Sequence, residues 1–178
     1  MRTKAIKIPK LISDSLMSTV RDLNQRAAAT LFGRWRKWRL SRPYPARNPE
    51  ESVGAYGERI AAVFLERQGY IILERSYSQK SGEIDVIAVW QRKVVVFVEV
   101  KTWAVLLDDS GGPSDAVDDK KQERISKTAM IYMKRHRLLE SSGRADVIAI
   151  ILGRVPGRPS IRHFENAFEA VGNFQMFS

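Results

Sequence analysis

Two neighbouring runs of this chain, residues 83–90 and 94–101, are apolar over most of their length, yet each holds a carboxylate in its interior: Asp85 in the first and Glu99 in the second. Runs apolar on both faces belong in the middle of a sheet covered on both sides. A carboxylate there is costly to bury unless something positive meets it. These two demands together call for a layered α/β domain whose central hairpin carries acids in want of a cation.

Whether the acids meet depends on register, because directly opposed residues of an antiparallel pair point to the same side. A two-residue loop at Gln91-Arg92 pairs 85 with 98 and sends Asp85 to the face opposite Glu99. A three-residue loop, Gln91-Arg92-Lys93, pairs 90 with 94, hence 85 with 99 and 83 with 101. The second arrangement is the one expected, with Asp85 beside Glu99 and Glu83 beside Lys101 on one face. Glu99 and Lys101, two apart on one strand, share that face in any case. In this geometry Mg²⁺ or Mn²⁺ would be held by the two carboxylates, a backbone carbonyl and waters. Lys101 would orient a water or steady a phosphoryl oxygen. The tripeptide Glu99-Val100-Lys101 alone is common enough for chance to explain it; Asp85 in a second apolar strand is what turns it into a site.

The flanking pattern fits an α/β domain. Ser52 is placed to cap a helix running to about Gln68, and Gly69 stops it. On that helix Glu58 shares a stripe with Gly54, Ala61, Ala62 and Leu65, which would bring it to the sheet, while Tyr56, Ile60, Val63 and Phe64 make a bulkier competing face. Periodicity does not choose between them. A strand over 70–77 and a Gln-Lys-Ser-Gly turn lead into the hairpin. Residues 106–113 read as a surface loop, and a helix follows from 115 or 118 to about 139, with Ile125, Ala129 and Met133 on one face. Its cations Lys120, Arg124 and Lys127 form a stripe that would receive a nucleic-acid backbone or simply face solvent. A buried strand over 144–152 and a short edge strand over 161–164 complete the domain. Asp146 is assigned to strand-end or capping work, and His136 and His163 are expected at the surface.

The domain so defined, residues 50–178, is preceded by a basic N-terminal arm and Pro-rich linker, residues 1–49. The whole chain carries a net charge of +10. Residues 1–49 hold 12 Lys+Arg against 2 Asp+Glu, leaving 18 against 18 in the remainder, so the excess lies entirely in the arm. A helix over about 12–38 is expected there, and Arg34, Arg36 and Lys37, interleaved with two tryptophans, suit nucleic-acid contact or, less well, an anionic membrane surface; a solvated basic tail with no dedicated partner explains them equally. Three prolines within residues 43–49 favour an extended connector. The absence of cysteine excludes disulfides, thiolate ligands and a cysteine nucleophile. No apolar run is long enough to cross a bilayer, and a cytoplasmic protein is expected.

The strings Gly57-Glu58, Gly82-Glu-Ile-Asp-Val-Ile-Ala88, Phe97-Val-Glu-Val-Lys-Thr102 and Arg144-Ala-Asp-Val-Ile-Ala149 resemble, in order and spacing, the YraN family of bacterial proteins. That family is similar to the restriction-endonuclease-like PD-(D/E)xK superfamily, which includes archaeal Holliday-junction resolvases. The resemblance covers about residues 52–165. It implies a mixed central sheet flanked by helices, with Asp85 as the motif's first acid, Glu99 and Lys101 as its (D/E)xK part, and Glu58 as the helical acid of the resolvase branch. The implied function is a Mg²⁺-dependent endonuclease acting on DNA more than RNA, at branched or structured sites, as a possible homodimer. Two departures stand out: Gly-Glu-Ile-Asp replaces the Pro-Asp of the motif, and Trp103 stands where a basic residue is expected. The alternative is a non-catalytic nucleic-acid-binding module that retains the fold.

Overall fold

The computed structural model describes residues 42–104 and 118–169. The arm, with its expected helix and Arg34, Arg36 and Lys37, and the loop over 106–113 lie outside them. Helix α1 (Val53–Gln68) starts where the Ser52 hydroxyl accepts the Ala55 amide at 3.1 Å, and it stops at Gly69, whose φ of 98° is left-handed. Strands β1 (Ile71–Gln79), β2 (Gly82–Trp90) and β3 (Val94–Ala104) follow. Helix α2 (Asp119–Arg135) is capped by the Asp118 carboxylate on the Lys121 amide at 2.8 Å. Strands β4 (Ser142–Leu152) and β5 (Ser160–Phe168) come last.

The five strands form one sheet in chain order, β1-β2-β3-β4-β5, with β3 and β4 parallel and the other neighbours antiparallel. The parallel pair is joined by a crossover that contains α2, as a parallel connection requires. The fold is therefore α/β, a mixed five-stranded sheet with two helices among the described residues.

The helices bury opposite faces, which is why the central strands are apolar on both. Ile60, Ala61 and Leu65 of α1 pack on Val86, Val96, Val98, Ile148 and Ile150. Ile125, Ala129 and Met133 of α2 pack on Ile84, Ile87, Val95 and Phe97. Burying each of these side chains other than the alanines contributes roughly 1.5–3 kcal/mol.

Several features differ from expectation. Helix α2 ends at Arg135, not near 139, because Arg137 turns into the left-handed region at φ 58° and the His136 amide closes the last turn. Strand β5 is nine residues long, not four; its polar Arg162, His163, Glu165 and Asn166 hid it from a reading based on apolar runs. The Pro-rich segment is docked on the domain. Tyr44 donates to the Gly157 carbonyl at 2.8 Å, Tyr56 Oη to the Pro45 carbonyl at 3.0 Å, and Arg59 Nη2 to the Ala46 carbonyl at 2.9 Å. The Arg67 guanidinium lies 4.2 Å over the Tyr44 ring. No helix among the described residues is long and apolar enough to cross a membrane.

Candidate functional site

The β2–β3 loop has three residues. Trp90 pairs with Val94 and the ladder runs to Val86 opposite Val98. Gln91 and Arg92 take left-handed φ values of 49° and 59°, and the Lys93 amide closes the turn on the Trp90 carbonyl at 3.0 Å. The parity that puts Asp85 and Glu99 together is thus the one adopted. The ladder stops there, however, and the expected backbone pairs 85 with 99 and 83 with 101 do not form. In their place the Asp85 carboxylate inserts between the strands, Oδ2 accepting the Val100 N–H at 2.7 Å.

The other neighbour of β2 is distorted at the same level. Ser76 of β1, between the pairs Arg75–Val86 and Tyr77–Ile84, has φ 51°. Ile84 and Val86, two apart and so due to face the same way, pack in opposite layers, Ile84 toward α2 and Val86 toward α1. Strand β2 is turned about Asp85, and side chains from both layers reach this point.

Glu99 is 4% exposed and is met by two ammonium groups: Lys101 Nζ lies 3.2 Å from Oε1, and Lys121 Nζ of α2 lies 3.2 Å from Oε2. The second contact is an ion pair outside hydrogen-bonding geometry, so Oε2 is left buried without a hydrogen bond. Glu83 is exposed and does not lie beside Lys101 as expected; its carboxylate is 3.9 Å from Lys121 Nζ.

Glu58 enters from α1, and the question of which helical face docks is decided by Gly57. A methyl group placed there would lie 1.8 Å from Thr102 Oγ1, so only glycine lets the helix rest on β3 at this level. The docked row is Tyr56, Gly57, Ile60, Ala61 and Leu65, drawn from both competing stripes, with Glu58 at its border. There Glu58 Oε2 accepts from Ser76 Oγ at 2.7 Å, the hydroxyl aimed by the left-handed turn of β1.

These surroundings raise the pKa of Asp85 from 3.8 to about 7. Burial is the main cause, the Glu99 charge comes next, and Glu58 adds to it; the Val100 amide and Lys121 act in the opposite direction. Withdrawal from water, more than the neighbouring carboxylates, is thus what disfavours the charged form of Asp85, and Lys121 only partly offsets it. Among the described residues no three or more His, Cys, Asp or Glu side chains are placed to hold a metal ion. Any cation here would have to rely on Asp85 and Glu99 with main-chain and water oxygens.

The profile described as "Uncharacterised protein family UPF0102" matches residues 57–150. The chain belongs to the UPF0102 family. This is the YraN family to which the sequence strings point. A UPF0102 protein of Rhodopirellula baltica is 40% identical over 78% of this chain and 83% of its own length. One from Pelobacter propionicus is 47% identical over 70% and 87%, and one from Trichlorobacter lovleyi 42% identical over 67% and 91%. The UPF0102 match opens at Gly57, the residue that seats α1 on β3, and so spans Glu58, Asp85, Glu99, Lys101 and Lys121.

Lys121 was absent from the residues singled out in the UPF0102 sequence, although a signal existed. It lies one turn before Ile125 on the apolar face of α2, where a lysine needs an acid within reach. The stripe Lys120, Arg124 and Lys127 is exposed. Asp146 is no strand-end cap. It is fully buried inside β4 and takes two hydrogen bonds from Arg144 at 2.8 and 2.9 Å and one from the Asn166 amide at 2.9 Å, with His163 Nε2 at 2.8 Å. His163, expected at the surface, is accordingly drawn in to 11% side-chain exposure; His136 is exposed and stacks on Tyr132. The Asp146 cluster joins β4 to β5 and has a structural role.

Proposed function

We propose that this protein is a metal-dependent nuclease of the PD-(D/E)xK type, hydrolysing phosphodiester bonds in structured or branched DNA. The observation that carries the reading is the Asp85 carboxylate, held between the diverging ends of β2 and β3 and pushed up to about 7 beside the buried Glu99. A part-buried Asp85 whose charge is disfavoured, beside a buried Glu99, suits a hard divalent cation, and both side-chain donors are oxygens, as Mg²⁺ or Mn²⁺ prefers. The buried Glu99 Oε2 without a hydrogen bond fits the same need. Asp85 and Glu99 would hold the ion with main-chain and water oxygens, and Glu58 would add negative charge beside Asp85. Bound there, the ion would polarise a phosphate and promote ionisation of a water.

The chain's own groups supply the rest. Lys101, with its side chain 38% exposed, has an ammonium that reaches outward from Glu99 to a phosphoryl oxygen and offsets charge developing on it. The Ser76 hydroxyl fixes Glu58, and the Val100 amide fixes Asp85, so both acids are oriented before substrate arrives.

The contact between Lys121 and Glu99 favours a second reading. In it the ammonium takes the place of the cation, and the protein binds nucleic acid without cutting it. One experiment separates the two: incubation with duplex, branched and single-stranded DNA and with RNA, with Mg²⁺ or Mn²⁺, comparing wild type with Asp85→Ala and Lys101→Ala. Cleavage that requires the metal and is lost in both variants supports the nuclease. Binding without a product on any substrate supports the second reading.

A further inference from the structure

Beside the acids, the β1–β2 turn and the first turns of α2 enclose an open cleft of about 310 Å³. It is lined by residues 78–83 with Lys121 and Arg124; no apolar side chain contributes, and the three cations Lys80, Lys121 and Arg124 outnumber the one carboxylate, Glu83, which lies 3.9 Å from Lys121. Pockets for apolar small molecules are of this size or larger and mostly hydrophobic; this one is built for a polar, negatively charged occupant.

The cleft is firmly formed. Gly82 sits at φ 147°, and a methyl group there would meet Arg124 Cβ at 3.2 Å and Thr128 Oγ1 at 3.3 Å, so the turn lies directly against α2. The Ser81 and Thr128 hydroxyls share a hydrogen bond of 2.8 Å across the join. Lys80 and Arg124 are exposed, and among the described residues neither has a carboxylate partner. Residues 50–178 have no net charge, so these unpaired cations are a local concentration and do not reflect a generally basic surface. Lys121 belongs to both places, lining the cleft while its ammonium touches Glu99.

We propose that this cleft binds the DNA backbone next to the bond being cut, with Lys80 and Arg124 each taking a phosphate and Lys121 marking the border with the acid pair. The occupant follows from the nuclease reading above, and the shared Lys121 makes the cleft adjacent to the acid pair. Phosphate contacts position a strand and carry no sequence information, so the binding would be tolerant of sequence.

The test is fluorescence anisotropy of a labelled branched DNA with the full chain in EDTA. Lys80→Gln/Arg124→Gln is compared with Lys134→Gln/Arg135→Gln, an equal loss of charge at the far end of α2, and thermal melts confirm that both variants fold. The expected result is about a tenfold or greater loss of affinity in the cleft variant, with the salt dependence reduced by about two phosphate contacts, and less than a threefold change in the control. Equal affinities for the two variants would overturn the proposal, even if wild type cuts DNA. Selective loss in the cleft variant with no cleavage by wild type would keep the cleft and remove the nuclease.

Discussion

The Asp85 carboxylate occupies the position of a missing sheet hydrogen bond, accepting the Val100 N–H at 2.7 Å where β2 and β3 part. One side chain thereby ends the pairing of two strands and becomes the part-buried acid beside Glu99. Its surroundings hold that acid at a pKa of about 7, and this has a consequence for stability.

Between its ordinary value of 3.8 and about 7, Asp85 binds its proton more tightly in the folded than in the unfolded chain. Stability from this residue is therefore greatest at low pH, falls as pH rises through that window by at most about 1.4 kcal/mol per unit, and levels off above it. Asp85→Asn keeps an oxygen for the Val100 amide and removes the titration. Urea unfolding in EDTA should show the variant gaining on wild type from pH 4 to 7, with the largest advantage near pH 8. Parallel profiles would show that Asp85 is not strained by its charge.

Divalent cation should reverse that penalty. Mn²⁺ at concentrations well above its dissociation constant should raise the melting temperature of wild type at pH 8, by the linkage that makes any ligand of the folded state stabilising. Asp85→Asn and Glu99→Gln should respond little. The wild-type effect should fade as pH drops below 7, because the proton competes for Asp85. A rise of the same size in all three proteins would place the ion elsewhere.

Gly57→Ala should destabilise the domain by about 1–3 kcal/mol, the range for overpacking a close contact, since its methyl group would overlap Thr102 Oγ1. Adding Thr102→Ala should return part of that loss. Denaturation midpoints of the two single variants and the double variant measure the coupling. Strict additivity would mean that the helix shifts freely on β3.

Asp146→Ala should cost more, about 3–5 kcal/mol, because it leaves the half-buried Arg144 guanidinium without its paired carboxylate. His163 and the Asn166 amide lose the same partner. Calorimetric unfolding checks this. A change below 1 kcal/mol would show that Glu165, 2.9 Å from Arg144, suffices alone.

Much of this arrangement could be read from the chain. The three-residue loop follows once Asp85 and Glu99 are taken to share a face, since a loop of that parity is needed to join them, and the two-sided apolar strands announce helices on both faces. The end of the ladder at Val86 and Val98 was not legible, because a carboxylate accepting a main-chain amide leaves no periodic trace. Nor was the docked face of α1, which depends on one clearance at Gly57. Lys121 was hidden by its neighbours: in Asp118-Asp-Lys-Lys-Gln, Lys120 looks the same in sequence but is exposed. Strand β5 and the inward turn of His163 were missed because the Asp146 cluster, a tertiary feature, takes up polar groups that would otherwise face water.

The turn of β2 about Asp85 also bears on how the molecule loosens. Ile84 anchors one side of that residue in the α2 layer and Val86 anchors the other in the α1 layer. A fluctuation that frees either helix removes one of the two anchors. Asp85 then keeps one anchored neighbour in place of two, so loss of the site is expected to precede global unfolding from whichever side the chain begins to open.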